Sequence, residues 1–149
     1  MFLELVFQVI MSFFACIAFS IIFNAPRKEL PFCGICGSVS WGVYFFINQM
    51  LSQQVFATFL ATLVVTILCR HLSFIRFAPS TMYHIAGILP LVPGMNIYNA
   101  MSGILSNDLL YCFEQGVAAL KLASAIAIGS ILILSLPQSM FQISFKNHK

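Results

Sequence analysis

From Phe32 to Met50 the chain runs without a single charged side chain. A stretch of that length and apolarity matches the hydrocarbon thickness of a bilayer, which takes about 20 residues of helix. Four more runs resemble it, about 1–23, 55–75, 81–105 and 115–136. The seven basic and four acidic side chains of the 149 residues cannot cover the surface of a water-soluble protein of this size, and 60% of the residues are hydrophobic, against roughly 45–50% in a soluble domain. The expectation is one all-α integral membrane domain over residues 1–149 with about five transmembrane helices. Soluble-enzyme, nucleic-acid-binding and disordered readings fall away.

The first run starts with Glu4 rather than a basic patch and shows no small-residue cleavage site, so it reads as a helix and not as a signal peptide. Between the runs lie short polar links: Asn24 to Pro31, Ser52-Gln53-Gln54, Arg70 to Pro79, and Ser106-Asn107-Asp108. Lysine and arginine favour cytoplasmic loops. With the amino end outside and the carboxyl end cytoplasmic, Arg27, Lys28, Arg70, Arg76, Lys146 and Lys149 all face inward, and Lys121 remains inside the fifth helix. A re-entrant fourth segment would give four spans and put the tail lysines outside.

That fourth segment holds the sharpest motif, Pro90-Leu91-Val92-Pro93-Gly94. Proline lacks an amide hydrogen and collides with the carbonyl four residues earlier. The pair therefore frees the carbonyls of Ala86 and Leu89 and breaks the rod near mid-depth. Pro93 suits the first position of a new half-helix, with the amides of Gly94, Met95 and Asn96 aimed into the break. Irregular backbone at membrane depth must be buried in protein or line a water-filled cavity, and broken helices with exposed amino ends bind carboxylates in many transporters. A proline kink repaired by neighbouring helices is the plainer alternative. Asn96 and Asn99 share a face and, with Tyr98, offer donors and acceptors to a zwitterionic or dicarboxylate ligand, or serve as glue between helices.

Three ionisable groups are candidates for proton or charge coupling. Lys121 lies in an apolar run on the face of Ala118, Ala125 and Gly129, one or two turns from the outer boundary if the helix begins at Gln115; it either snorkels or acts on substrate. Asp108, with Glu114, sits at the outer mouth as solvated charge or as a proton-entry pair. His84 can titrate near neutral pH or simply hydrogen-bond. Small residues repeat every fourth position at Gly34, Ser38 and Gly42, and at Ala119, Ala123 and Ala127, marking packed faces. Cys33 and Cys36 form a C-x-x-C without the soluble context of a redox motif or the second pair of a zinc site, and read as small core hydrophobes. No phosphate loop, catalytic triad or metal-ligand set is present, so neither an enzyme nor a cofactor is expected.

Taken together, Phe23-Asn24-Ala25-Pro26-Arg27-Lys28-Glu29-Leu30, Gly37-Ser38, Ile88 to Gly94 and Tyr98-Asn99-Ala100-Met101 resemble the carboxyl-terminal half of the threonine/serine exporter (ThrE) family, and more closely the small stand-alone subunit of its split version, the YjjB type. The resemblance implies a partner: a YjjP-like subunit with a soluble domain and about five helices. It also implies export of threonine and serine, or of succinate by split pairs, driven by the proton motive force across the cell inner membrane. The expectation is a membrane subunit of a secondary exporter for small carboxylate-bearing metabolites, a hetero-oligomer in which Pro90, Pro93, Gly94, Met95, Asn96, Tyr98 and Asn99 bind substrate. The alternative is a non-transporting scaffold or assembly subunit.

Overall fold

The computed structural model describes residues 2–136; the expected cytoplasmic lysines Lys146 and Lys149 lie outside the described residues. Six helices follow one another: α1 (Phe2–Ile22), α2 (Leu30–Leu51), α3 (Gln54–Arg76), α4 (Ser80–Ile88), α5 (Gly94–Leu105) and α6 (Leu109–Leu134). A 3-10 turn, Leu89–Leu91, joins α4 to the break before α5. Helices α1, α2, α3 and α6 are each long and apolar enough to cross a membrane, and α4 with α5, bent by 55° at the break, is long and apolar enough to form either a fifth, broken span or the re-entrant segment. The chain is thus an all-α, multi-pass membrane protein.

The helix ends follow from local chemistry. Helices α1, α2 and α3 stop at Asn24, Ser52 and Phe77, all in the left-handed region with φ of 59°, 51° and 53°. The amides of Ser52 and Phe77 return to the carbonyls of Asn48 and Ser73, which satisfies orphan acceptors of the last turn. Helix α6 begins at Leu109 rather than at Gln115, where hydropathy alone puts it. The reason is the Asp108 carboxylate, which accepts the Tyr111 amide at 3.1 Å and caps the helix. At its other end Arg70 donates to the carbonyls of Ile133 and Leu136, a cation at the negative pole of the helix.

Helices α1, α2, α3 and α6 pack in that order as a layer, and α4 lies across α2 and α3. Small side chains permit the contacts. A Cβ on Gly37 would stand 2.1 Å from Cys16 Sγ, one on Gly34 2.7 Å from the Phe13 ring, and one on Gly87 2.6 Å from Val65. Cys33, Cys36, Val65, Cys69, Tyr83 and Ala86 form the core between α2, α3 and α4, so the C-x-x-C thiols sit in apolar packing. A smaller cluster of Ala61, Leu91 and Ile126 seats the 3-10 turn against α3 and α6. Of the two small-residue stripes, Gly34–Ser38–Gly42 faces α1 through Phe13, Ile17 and Val9, whereas Ala123 and Ala127 are exposed.

Helix α5 departs from this pattern by packing substantially against α6 alone. That contact is close: a Cβ on Gly103 would lie 2.9 Å from the Cys112 amide nitrogen and 3.1 Å from the Asp108 carbonyl. Gln54, the first residue of α3, shares a shallow groove with Glu114, Val117 and Lys121 of α6, and Gly129 meets Thr62. The two helices therefore run side by side with the start of α3 level with the middle of α6. About the first ten residues of α6, and α5 with them, continue some 15 Å past that level, at 1.5 Å per residue.

Candidate functional site

The broken segment turns in a specific way. The carbonyl of Leu89, which Pro93 frees from helical bonding, accepts the Val92 amide at 3.2 Å, and the carbonyl of Val92 accepts the Gly94 amide at 2.7 Å. With Pro93 at φ −76° and ψ 55°, this is an inverse γ-turn centred on Pro93. Two expectations change as a result. Pro93 is the residue before the helix rather than its first position, and Leu89 has a partner. The Gly94 amide is consumed in the turn. Since Ile97 donates to the Pro93 carbonyl at 3.1 Å, the first-turn donors without a helical acceptor are the amides of Met95 and Asn96.

The break forms one wall of a groove of about 540 Å³. Pro90 and Gly94 line it from one side; Gln8, Ser12 and Phe19 of α1 and Trp41 of α2 line it from the other. Trp41 Nε1 donates to Gln8 Oε1 at 3.0 Å, and Ser12 Oγ donates to the Gly37 carbonyl at 3.1 Å. The lining is uncharged. Gly94 meets nothing within 4 Å of a built Cβ, so the groove is open on its side. Gln8, Ser12 and Trp41 were not among the residues singled out from sequence, although a glutamine in an apolar run and a lone tryptophan are the kind of signal that could have marked them.

The other predicted substrate residues are dispersed. Pro93 is buried. Asn96 Nδ2 donates to Gln115 Oε1 at 3.2 Å, which makes it a bond between α5 and α6. Asn99 is half-buried, and Met95 and Tyr98 point outward at 72% and 69% exposure. Of the seven, only Pro90 and Gly94 line the groove. His84 shares a hydrogen bond of 3.1 Å with Ser130, and Asp108 is the α6 cap. Lys121 is exposed beside Glu114 and Gln54. It is twelve residues into α6 rather than one or two turns, yet level with the start of α3.

A polar cluster at the basic end of the bundle was not foreseen. Glu29, just before α2, accepts from Arg76 at 2.9 and 3.2 Å and from the Tyr83 hydroxyl at 2.6 Å. The Arg76 guanidinium also lies 4.5 Å from the centre of the Phe32 ring. One carboxylate thus ties together α2, α3 and α4. The two donors hold the Glu29 carboxyl below the ordinary carboxylate range, Arg76 contributing most. Among the described residues no group of three or more His, Cys, Asp or Glu side chains is placed to hold a metal.

Helices broken within the membrane beside an open groove are a recurring feature of membrane transport proteins. Residues 8–136 match the family model described as Threonine/Serine exporter, ThrE, and the chain belongs to that family. It is 31% identical over 145 residues to an uncharacterized protein of Haemophilus influenzae, covering 93% of this chain and 48% of that one. The chain thus spans about half the length of the curated relative it matches. No solved structure matches it.

Proposed function

We propose that this chain is one membrane half of a secondary exporter for small carboxylate-bearing metabolites, threonine, serine or a succinate-type dicarboxylate, and that a YjjP-like subunit supplies the other half. The single observation that carries the reading is the proline break between α4 and α5. It places a helix amino end, with the amides of Met95 and Asn96, beside a groove that an export substrate could enter. The positive end of a half-helix favours a carboxylate. The groove has no cation of its own, so the remaining charge of the ligand is met from the partner. Trp41 Nε1 is already bonded to Gln8 Oε1, which leaves the Gln8 side-chain amide as the polar group for the rest of the molecule. The orientation that gathers the basic residues in the cytoplasm puts the Glu29–Arg76–Tyr83 cluster at the inner face of the plasma membrane.

The test is efflux from cells preloaded with labelled threonine or succinate, comparing this chain alone, the YjjP-like chain alone and both together. Efflux that needs both is the expected result. Efflux from this chain alone would refute the two-part reading. Normal co-assembly with no efflux of either label would favour the scaffold alternative.

A further inference from the structure

We infer that the bare face of α5, together with the open side of the groove at Gly94, is the surface on which the partner half docks, so that the break lies at the junction of the two chains; this rests on the two-part reading above. Helix α5 carries Met95, Tyr98, Met101 and Leu105 at 57–84% exposure along one stripe that runs its full length. The opposite side is fixed on α6 by the approach of Gly103 to the Cys112 backbone. Helix α5 is therefore held firmly on α6, yet most of its circumference packs against little else among the described residues.

Lipid alone is a poor cover for this face. The turn from Leu89 to Gly94 is irregular backbone in the middle of a crossing, and such backbone is found at membrane depth only where protein or an enclosed water cavity surrounds it. Leu91 and Pro93 are buried against the rest of the chain, but among the described residues nothing covers the other side of the turn: Val92 and Gly94 are exposed, and the Cβ direction of Gly94 is empty. The missing wall must be protein that is itself in the membrane. The length of the relative indicates which protein. This chain accounts for 48% of it, so about as much again remains to be placed. A second copy of this chain is the competing occupant. It would bring another uncharged groove to the first and leave a carboxylate ligand without a cation. A partner that presents a basic side chain over Gly94 completes the site.

Photocrosslinking by p-benzoylphenylalanine, in membranes containing both chains, tests the surface. Substitution at Met95, Tyr98 and Met101 is expected to give an adduct of this chain with the YjjP-like chain. The same probe at Ile67 and Ile131, exposed on other faces, is expected to give none. Recovery of the partner by co-purification is measured in the same samples. Tyr98→Ala combined with Met101→Ala is expected to lower that recovery about tenfold, the loss of one strong contact, with the thermal stability of the isolated chain unchanged. Adducts between two copies of this chain, lipid adducts alone, or partner adducts only from Ile67 and Ile131 would each overturn the docking surface. If the chains co-purify while α5 gives no partner adduct, the surface is wrong and the two-part exporter stands. If they do not co-purify and this chain exports alone, both fail.

Discussion

The body formed by α1 to α4 and the region of α5 and the break are built to different standards of closure. Between α1, α2, α3 and α4, glycines and cysteines bring helices so close that Gly37 could not carry a methyl group without meeting Cys16 Sγ. Around α5 and the break, Gly94 faces open space and methionine and tyrosine side chains stand bare. In a bilayer there is no hydrophobic drive to press helices together, so contact must come from packing of small residues and from polar links. The chain concentrates these means between α1, α2, α3 and α4 and leaves α5 held substantially by α6 alone.

The largest effect expected from that contrast is at the two glycines. Gly37→Leu should prevent α1 from seating. Overpacking a close core costs about 1–3 kcal/mol even when the surroundings can shift, and at 2.1 Å they must shift far. A drop in folded protein recovered in detergent would show it. Gly94→Ala should leave the stability of the isolated chain as it is, because nothing in this chain lies within 4 Å. It should nevertheless lower export by the two-chain assembly. Equal stability losses at both positions would erase the distinction between the two regions.

Pro93→Ala comes next. Proline fixes φ near −65°, which suits the turn that sets the 55° bend. Alanine restores an amide donor and lets the helix run through the break. Export is expected to fall about tenfold, equivalent to roughly 1.4 kcal/mol of lost ligand stabilisation, with membrane levels of the chain near normal. Unchanged efflux at normal levels would remove the break from the site.

How much of this was legible in the sequence differs by region for a physical reason. Five apolar runs and two prolines are local signals, and helices and a break lie where they point, apart from the start of α6. The start of α6 differs because Asp108, a charge that breaks the apolar run, is also the capping residue ahead of Leu109. The exposure of Tyr98 and the bond of Asn96 to Gln115 could not be read, because a helix pattern gives a residue's face and not what the face meets. The Glu29 cluster joins residues 47 and 54 positions apart, and no periodicity encodes such a pairing. Its one sequence trace is that Glu29 belongs to the Phe23–Leu30 motif of the family resemblance.

That cluster gives a moderate effect and a pH dependence. Glu29→Gln keeps an acceptor for Tyr83 but removes the charge that Arg76 pairs with, and should lower the thermal midpoint by a few degrees. The folded carboxyl titrates below its ordinary value, so the unfolded chain takes up the proton first as pH falls. Its stabilisation is then fully present above the ordinary glutamate value of about 4.3 and is lost as pH falls through the lower folded value. Between pH 5 and 8 this group should contribute no slope. Below about pH 4.3 the wild-type chain should lose stability more steeply than the Gln variant; parallel acid profiles would show that Glu29 is not the group responsible.

The smallest effect is expected at Phe77, at the same end of the bundle. It ends α3 with φ of 53° and is 96% exposed, so no packing within the chain compensates its left-handed backbone. For a residue with a Cβ that conformation costs roughly 1–2 kcal/mol. Phe77→Gly removes the cost, while the greater freedom of glycine in the unfolded chain returns part of it. A net gain of about 0.5 kcal/mol in detergent is expected, measured by thermal unfolding. Bilayers add a second force, because an aromatic ring at the interface anchors a helix end. The variant should therefore be more stable than wild type in detergent and lose that advantage in lipid. A gain of equal size in both would mean that the ring does no anchoring, and that the strain at Phe77 serves nothing outside the chain.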